Sequence, residues 1–270
     1  MFLVSSCGGN SNTGNENSNV TTSTSASTIQ EVLDNAVDNG VDGIFVYIEQ
    51  PDILDESYAA GIQDKAAQIP ADAKSLFKIA SISKLFIAVT AVKLNAQGNL
   101  SLNDTLATWL PELADRIENS NIITIADMTQ HRSGIADFDS QPGFDWQNAH
   151  TDIDSTLEFA LDKPADFIPD SQYEYSNTNY LLLSKVLNRA LGYSHQVFIA
   201  ENIIVPLGMH NTYLELSEIE SSQLAKGYWG NVERSMQDYA IPGGSMISTV
   251  KDIAIFIRAL NTGDLLTAAE

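Results

Sequence analysis

Residues 77–94, FKIASISKLFIAVTAVKL, constrain this chain more than any other stretch. From Ser81 onward Ile82, Leu85, Phe86, Val89 and Val92 recur at helical spacing, and Ala88 and Ala91 leave little polar surface, so the pattern predicts a buried helix. A buried helix has little use for a lysine, yet Lys84 lies three residues after Ser81, which puts ammonium and hydroxyl on neighbouring turns of one face. Ser81 falls where the helix begins, near unpaired backbone N–H groups and the positive end of the helix dipole. Such a position stabilises an alkoxide and the oxyanion it creates.

Ser-x-x-Lys by itself is a weak signal, and it occurs three times, as Ser75 with Lys78, Ser81 with Lys84, and Ser248 with Lys251. The first lies in an extended approach, where positions i and i+3 do not face each other. In the third, Val250, Ile253, Ala254, Ile257 and Leu260 form the buried stripe, Lys251 falls with Arg258 on the wet face, and Ser248 reads as a helix cap. Only Ser81 and Lys84 combine helical geometry with a setting that depresses a lysine pKa, as a base requires. Tyr175 and Asn177 form the one Tyr-x-Asn of the chain, just ahead of a helical pattern at 179–191. A tyrosine beside a buried lysine loses its proton more readily and can relay protons, while the amide can hold a carbonyl or orient the lysine.

The 270 residues are 44% hydrophobic, enough for one large domain or two closely packed subdomains. Thirty-five acidic against 14 basic residues give a formal charge of −21, spread along the chain, which argues against nucleic acid as a partner. Cys7 is the single cysteine, so neither an intramolecular disulfide nor a cysteine metal cluster can form. His150, His195 and His210 lack metal-ligand spacing and read as surface or packing residues; no metal or other cofactor is implied.

Val4-Ser5-Ser6-Cys7 resembles the lipobox of bacterial lipoproteins, and the Gly/Asn/Ser/Thr-rich residues 8–28 behave as a flexible tether. Six residues without a basic one precede Cys7, so the reading expects a signal peptide that starts further upstream. The expected location is the bacterial cell envelope, periplasm-facing, with membrane attachment only through lipid at Cys7.

Further along, residues 29–38 predict an amphipathic helix ended near Gly40, and 43–48 and 57–62 two strands of an antiparallel hairpin. A short helix is expected over 102–110, another running from 122 into a loop at His131 to Gly134, and further helices over 179–191, 195–204 and 249–260. Residues 136–172 carry aromatics, acids, Pro142, Gly143, Pro164 and Pro169 with little periodicity, the composition of a segment that shapes a pocket.

Five motifs, FKIASISK, QHRSGI, YEYSNTNYLLL, VPLGMHNTY and GGSMISTVKDIAIF, stand in the order and approximate spacing of the β-lactamase-related serine hydrolases. That group includes class C β-lactamases, D-Ala-D-Ala peptidases, D-aminopeptidases and esterases, and the resemblance runs over residues 29–270. It implies an α/β (α+β) fold of the β-lactamase/transpeptidase type: an antiparallel sheet built from the N-terminal hairpin and C-terminal strands, flanked by helices, with a mainly helical subdomain at about 100–235. It implies that Ser81 is the acylated nucleophile, Lys84 its proton acceptor, Tyr175 the second acid/base and Asn177 a substrate-binding residue, with the Ser81 N–H in the oxyanion hole. His131 matches the family's His-Thr-Ser-Gly loop, with Arg132 in place of threonine, and is expected to be structural. The family's Lys/His-Thr/Ser-Gly triplet has no counterpart in place, so the reading expects a strand beyond Glu270 to carry it. The motif flavour favours a small-molecule ester or a D-amino-acid amide, such as a peptidoglycan peptide, as substrate. A class C-like β-lactamase and a non-catalytic cell-wall-binding lipoprotein are the alternatives.

Overall fold

The computed structural model describes residues 5–6, 28–50, 54–148, 152–229, 232–235 and 241–267, and no helix among them is long and apolar enough to cross a membrane. The chain divides into two compact units, one of residues 1–78, 219–236 and 248–257 and one of residues 79–218, 237–247 and 258–270.

In the first unit, helix α1 (Ile29–Asp38) starts at a reciprocal cap: the Thr28 hydroxyl accepts the Glu31 N–H and the Glu31 carboxylate accepts the Thr28 N–H. Strands β1 (Ser5–Ser6), β2 (Gly43–Gln50), β3 (Leu54–Asp64) and β4 (Ile69–Pro70) form an antiparallel sheet in that order. The β2–β3 ladder is continuous from Gly43 opposite Gly61 to Gln50 opposite Leu54, so β3 is longer than the six residues its sequence pattern marks. α1 closes one face of this sheet: Leu33 packs with Ile44, Val46 and Ala60, bordered by Ile29, Val37 and Tyr58. Phe45, on the other face, stacks on Phe77 with ring centroids 5.9 Å apart. Residues 44–47 are therefore buried without alternation. All four strands come from residues 5–70; the C-terminal strands expected in this sheet are not part of it among the described residues.

The second unit is helical and is organised around α6 (Thr178–Leu191), which packs against α2 (Ser83–Ala96), α3 (Leu106–Trp109), α4 (Ile125–Thr129), α5 (Ile153–Leu157) and α7 (His195–Ile199). Thr178 to Ser184 are buried without a break, as befits a helix covered on all sides. α6 ends on Gly192 in the left-handed conformation that glycine adopts without a Cβ clash. α7 passes into a single π turn, Ala200–Ile204, so the helix expected over 195–204 changes its hydrogen-bond period halfway.

Two expectations about helix faces need correction. In α2 the buried residues are Ser83, Lys84, Phe86, Ile87, Val89, Thr90, Ala91 and Leu94, whereas Leu85, assigned to the buried stripe, is exposed. Apolar residues lie on most sides of this helix, so apolarity alone does not rank its faces. In α8 (Val250–Thr262) the hydroxyl of Thr249 accepts the Asp252 N–H, the capping bond the sequence placed on Ser248. Lys251 is exposed and pairs with Asp55 at 3.3 Å.

Candidate active site

Ser81 is the middle residue of a 3₁₀ turn, Ala80–Ile82, that leads directly into α2. Ala80 has φ +45°, a left-handed conformation that a non-glycine residue holds only where its surroundings enforce it. This turn presents Ser81 at the surface while Lys84, one turn on, is 6% exposed. Lys84 Nζ donates to Ser81 Oγ at 3.1 Å and to the Gly243 carbonyl at 3.1 Å. Ser81 Oγ also lies 2.8 Å from the Tyr175 hydroxyl. Tyr175 in turn donates to Asn177 Oδ1 at 3.3 Å. The four residues singled out from the sequence thus meet in one hydrogen-bonded chain.

The approach of Gly243 explains why the lysine is held. Its φ is +84°, and a Cβ there would stand 2.8 Å from Lys84 Cγ and 3.3 Å from Tyr180 Cβ. Only glycine lets the backbone carbonyl come close enough to accept from a lysine that burial strips of water. Burial lowers Lys84 to about 8, with Asp137 and Asp139 pulling the other way. Tyr175 moves in the opposite sense: burial raises its phenol, and Asp137 and Asp139 add to this against the hydrogen bond from Ser81. The sequence expectation that Tyr175 loses its proton more readily is therefore reversed, because burial, joined by two carboxylates, disfavours the phenolate there. Lys84 is the first group of the site to become a base, and Tyr175 remains a proton donor.

The Tyr175 ring has a fixed bed. His131, with φ +55°, stacks on it at 4.4 Å between centroids and accepts the Ser176 N–H through Nδ1 at 3.2 Å. Burial first, and Lys84 second, bring His131 down to about 4, so the imidazole is neutral at physiological pH. The Ser133 hydroxyl donates to Asn179 Oδ1 at 2.6 Å and Thr178 Oγ1 donates to the Ala136 carbonyl at 2.8 Å, which ties the 131–138 loop to the first turn of α6. Asn177 occupies the N-cap position of α6 but makes no side-chain cap. Its amide instead donates to Asp137 Oδ2 at 3.1 Å and Asp139 Oδ2 at 3.2 Å.

These groups open onto a cavity of about 270 Å³ lined by Ser81, Lys84, Tyr175, Asn177, Asp139, Trp146, Ile241 and Gly243 among others. Asp137, Asp139, Trp146 and Gly243 went unassigned from sequence. The glycine pair 243–244 carried a signal, since it precedes a helix in a recognised motif; two aspartates in an aperiodic segment carried none. His195 is buried and hydrogen-bonded through Nδ1 to Asn188 Oδ1 at 2.9 Å, and His210 is exposed. Cys7 and His150 lie outside the described residues. No group of three or more metal-ligating side chains occurs among the described residues.

A family model described as Beta-lactamase matches residues 29–270, nearly the whole of the chain after its Gly/Asn/Ser/Thr-rich start. The chain belongs to the beta-lactamase family. Among curated relatives in this family, "Penicillin-binding protein 4*" of Bacillus subtilis is 26% identical over 251 residues, covering 84% of this chain and 54% of that protein. "Protein flp" of Staphylococcus aureus is 27% identical over 170 residues, covering 62% of this chain and 34% of that protein. The chain thus spans about half the length, or less, of these curated relatives. Among solved structures, the D-amino acid amidase from Ochrobactrum anthropi SV3 complexed with D-phenylalanine superposes with a TM-score of 0.81 at 26% identity, covering 89% of this chain and 72% of the amidase. The mixed α/β architecture with an antiparallel sheet is that of the β-lactamase/transpeptidase fold.

Proposed function

We propose that this beta-lactamase family protein is a serine hydrolase that forms an acyl-enzyme at Ser81 with ester or D-amino-acid amide substrates. One observation carries the reading: Ser81 Oγ lies within hydrogen-bond reach of a lysine lowered to about 8 and of a tyrosine that keeps its proton. Neutral Lys84 accepts the Ser81 proton as Oγ attacks the carbonyl carbon, giving a tetrahedral oxyanion beside the Ser81 N–H. Tyr175 donates its proton to the departing amine or alkoxide as the C–N or C–O bond breaks, and the Lys84 ammonium returns a proton to the phenolate. A water then attacks the acyl carbon as Lys84 takes its proton, and Lys84 passes that proton to Ser81 Oγ as the C–Oγ bond breaks, releasing the carboxylic acid and restoring neutral Lys84. Asn177, bonded to Tyr175 on one side and to two carboxylates on the other, fixes the phenol's direction and faces the substrate. The likeness to a D-amino acid amidase supports an amide substrate of that class.

Hydrolysis of a short-chain nitrophenyl ester and of a D-amino-acid amide tests the proposal. Ser81→Ala is expected to lower kcat by at least about 10³-fold without changing the fold, because the nucleophile has no substitute. Unchanged turnover in Ser81→Ala would remove the assignment. From the lipobox pattern we further propose lipid attachment at Cys7 and a place on the cell envelope, which a free Cys7 thiol in membrane-fraction mass spectrometry would refute.

A further inference from the structure

We propose that Asp139, backed by Asp137, is the specificity-determining residue of the cavity and binds the ammonium of an α-aminoacyl substrate, while Trp146 and Ile241 take its apolar side chain. The proposal rests on Ser81 as the acylated residue. Asp139 lines the same cavity as Ser81, and one Asn177 side chain bridges Tyr175 to both carboxylates. The carboxylates therefore stand one side chain away from the hydrogen-bonded pair of Ser81 and Tyr175. In an α-aminoacyl group the nitrogen is about 2.5 Å from the carbonyl carbon by bond geometry, so a carbonyl on Ser81 keeps its ammonium inside the cavity that Asp139 lines.

Charge points the same way. Lys84 is committed to Ser81 Oγ and the Gly243 carbonyl, and it is neutral when it acts as the base. In that state the charges bordering the site among the described residues are those of Asp137 and Asp139. Asp139 Oδ2 accepts from Asn177, while its other oxygen takes no hydrogen bond from the described residues; Asp137 Oδ1 is buried without a partner. A carboxylate with spare acceptor capacity facing a cavity is complementary to an ammonium and repels an anion. Of the other lining residues, Trp146 belongs to an aromatic cluster with Phe138 and Phe144, and Ile241 is buried, so this part of the lining suits an apolar side chain. The substrate class this describes is an apolar amino acid amide or ester with a free α-amino group, rather than an N-acylated or carboxylate-bearing acyl donor.

The test compares kcat/KM for phenylalanine p-nitroanilide, both enantiomers, with the N-acetylated forms in the wild-type protein, Asp139→Asn and Asp139→Ala. The wild type is expected to favour the free amine by about 10–100-fold, the range for one hydrogen bond to a charged group, and the variants to bring that ratio close to one. The ratio is insensitive to a general loss of active protein. A second measurement needs no variant: phenylalaninamide should inhibit wild-type ester hydrolysis at least about 10-fold more tightly than N-acetylphenylalaninamide. A wild type that treats free and acetylated substrates alike, or a preference that survives both substitutions, overturns the proposal while leaving Ser81 in place. Absence of all ester and amide turnover, with no acylation of Ser81, overturns the underlying reading and the proposal with it.

Discussion

At the scale of single residues, the site works by separating two proton affinities. Lys84 comes down to about 8 and Tyr175 goes above the ordinary phenol value of 10, so over a window between them one is a free base and the other a ready acid. Below about 8 the lysine is protonated, and kcat/KM is expected to fall about tenfold per pH unit, read from a pH–rate profile. Asp139 raises the lysine, so Asp139→Asn should move that acid limb to lower pH; a limb that moves up contradicts the electrostatic account. Gly243→Ala is a second residue-scale prediction. Its Cβ meets Lys84 Cγ at 2.8 Å in a left-handed backbone, so it should displace the ammonium and cost roughly 1–3 kcal/mol of stability, measured as a lower Tm together with a lower kcat.

At the scale of elements, two helix starts and one loop assemble the site. The 3₁₀ turn before α2 presents Ser81, the residues before α6 present Tyr175 and Asn177, and the His131 loop is tied to α6 from below the tyrosine ring. Asn179→Ala removes the buried acceptor of the Ser133 hydroxyl, so it should cost about 1–3 kcal/mol in denaturant unfolding and lower kcat through a looser Tyr175. A stability loss with kcat intact would show that the loop does not position the phenol. The helices were legible because long apolar periodicity survives in α6 and α8, and the Ser81–Lys84 pair stood out because a lysine contradicts its surroundings. The exposed side of α2 was not legible, since Leu85 and Ile87 are equally apolar and only packing distinguishes them. Nor were Asp137 and Asp139, whose importance comes from a loop path that no local period encodes.

At the scale of the molecule, buried histidines couple the fold to pH. His195 is brought to about 4 by burial and His131 to about 4 by burial and Lys84, so the unfolded chain takes up protons below 6.5 that the native protein refuses until about 4. Their contribution is complete above pH 6.5 and lost as pH falls toward 4, of order 3 kcal/mol for the well-buried His195. Asp137, raised to about 6 chiefly by burial, acts in the opposite sense over an overlapping range and offsets part of the loss. Urea unfolding should therefore show lower stability at pH 4 than at pH 7, and His195→Gln should flatten that slope. The central claim, that Ser81 is the nucleophile activated by Lys84, is tested most directly by intact-mass and peptide mass spectrometry after exposure to a fluorophosphonate. The account predicts one adduct per chain, on Ser81, formed faster as pH rises through about 8 and absent from Ser81→Ala. An adduct on another residue, or labelling that persists in Ser81→Ala, would contradict it.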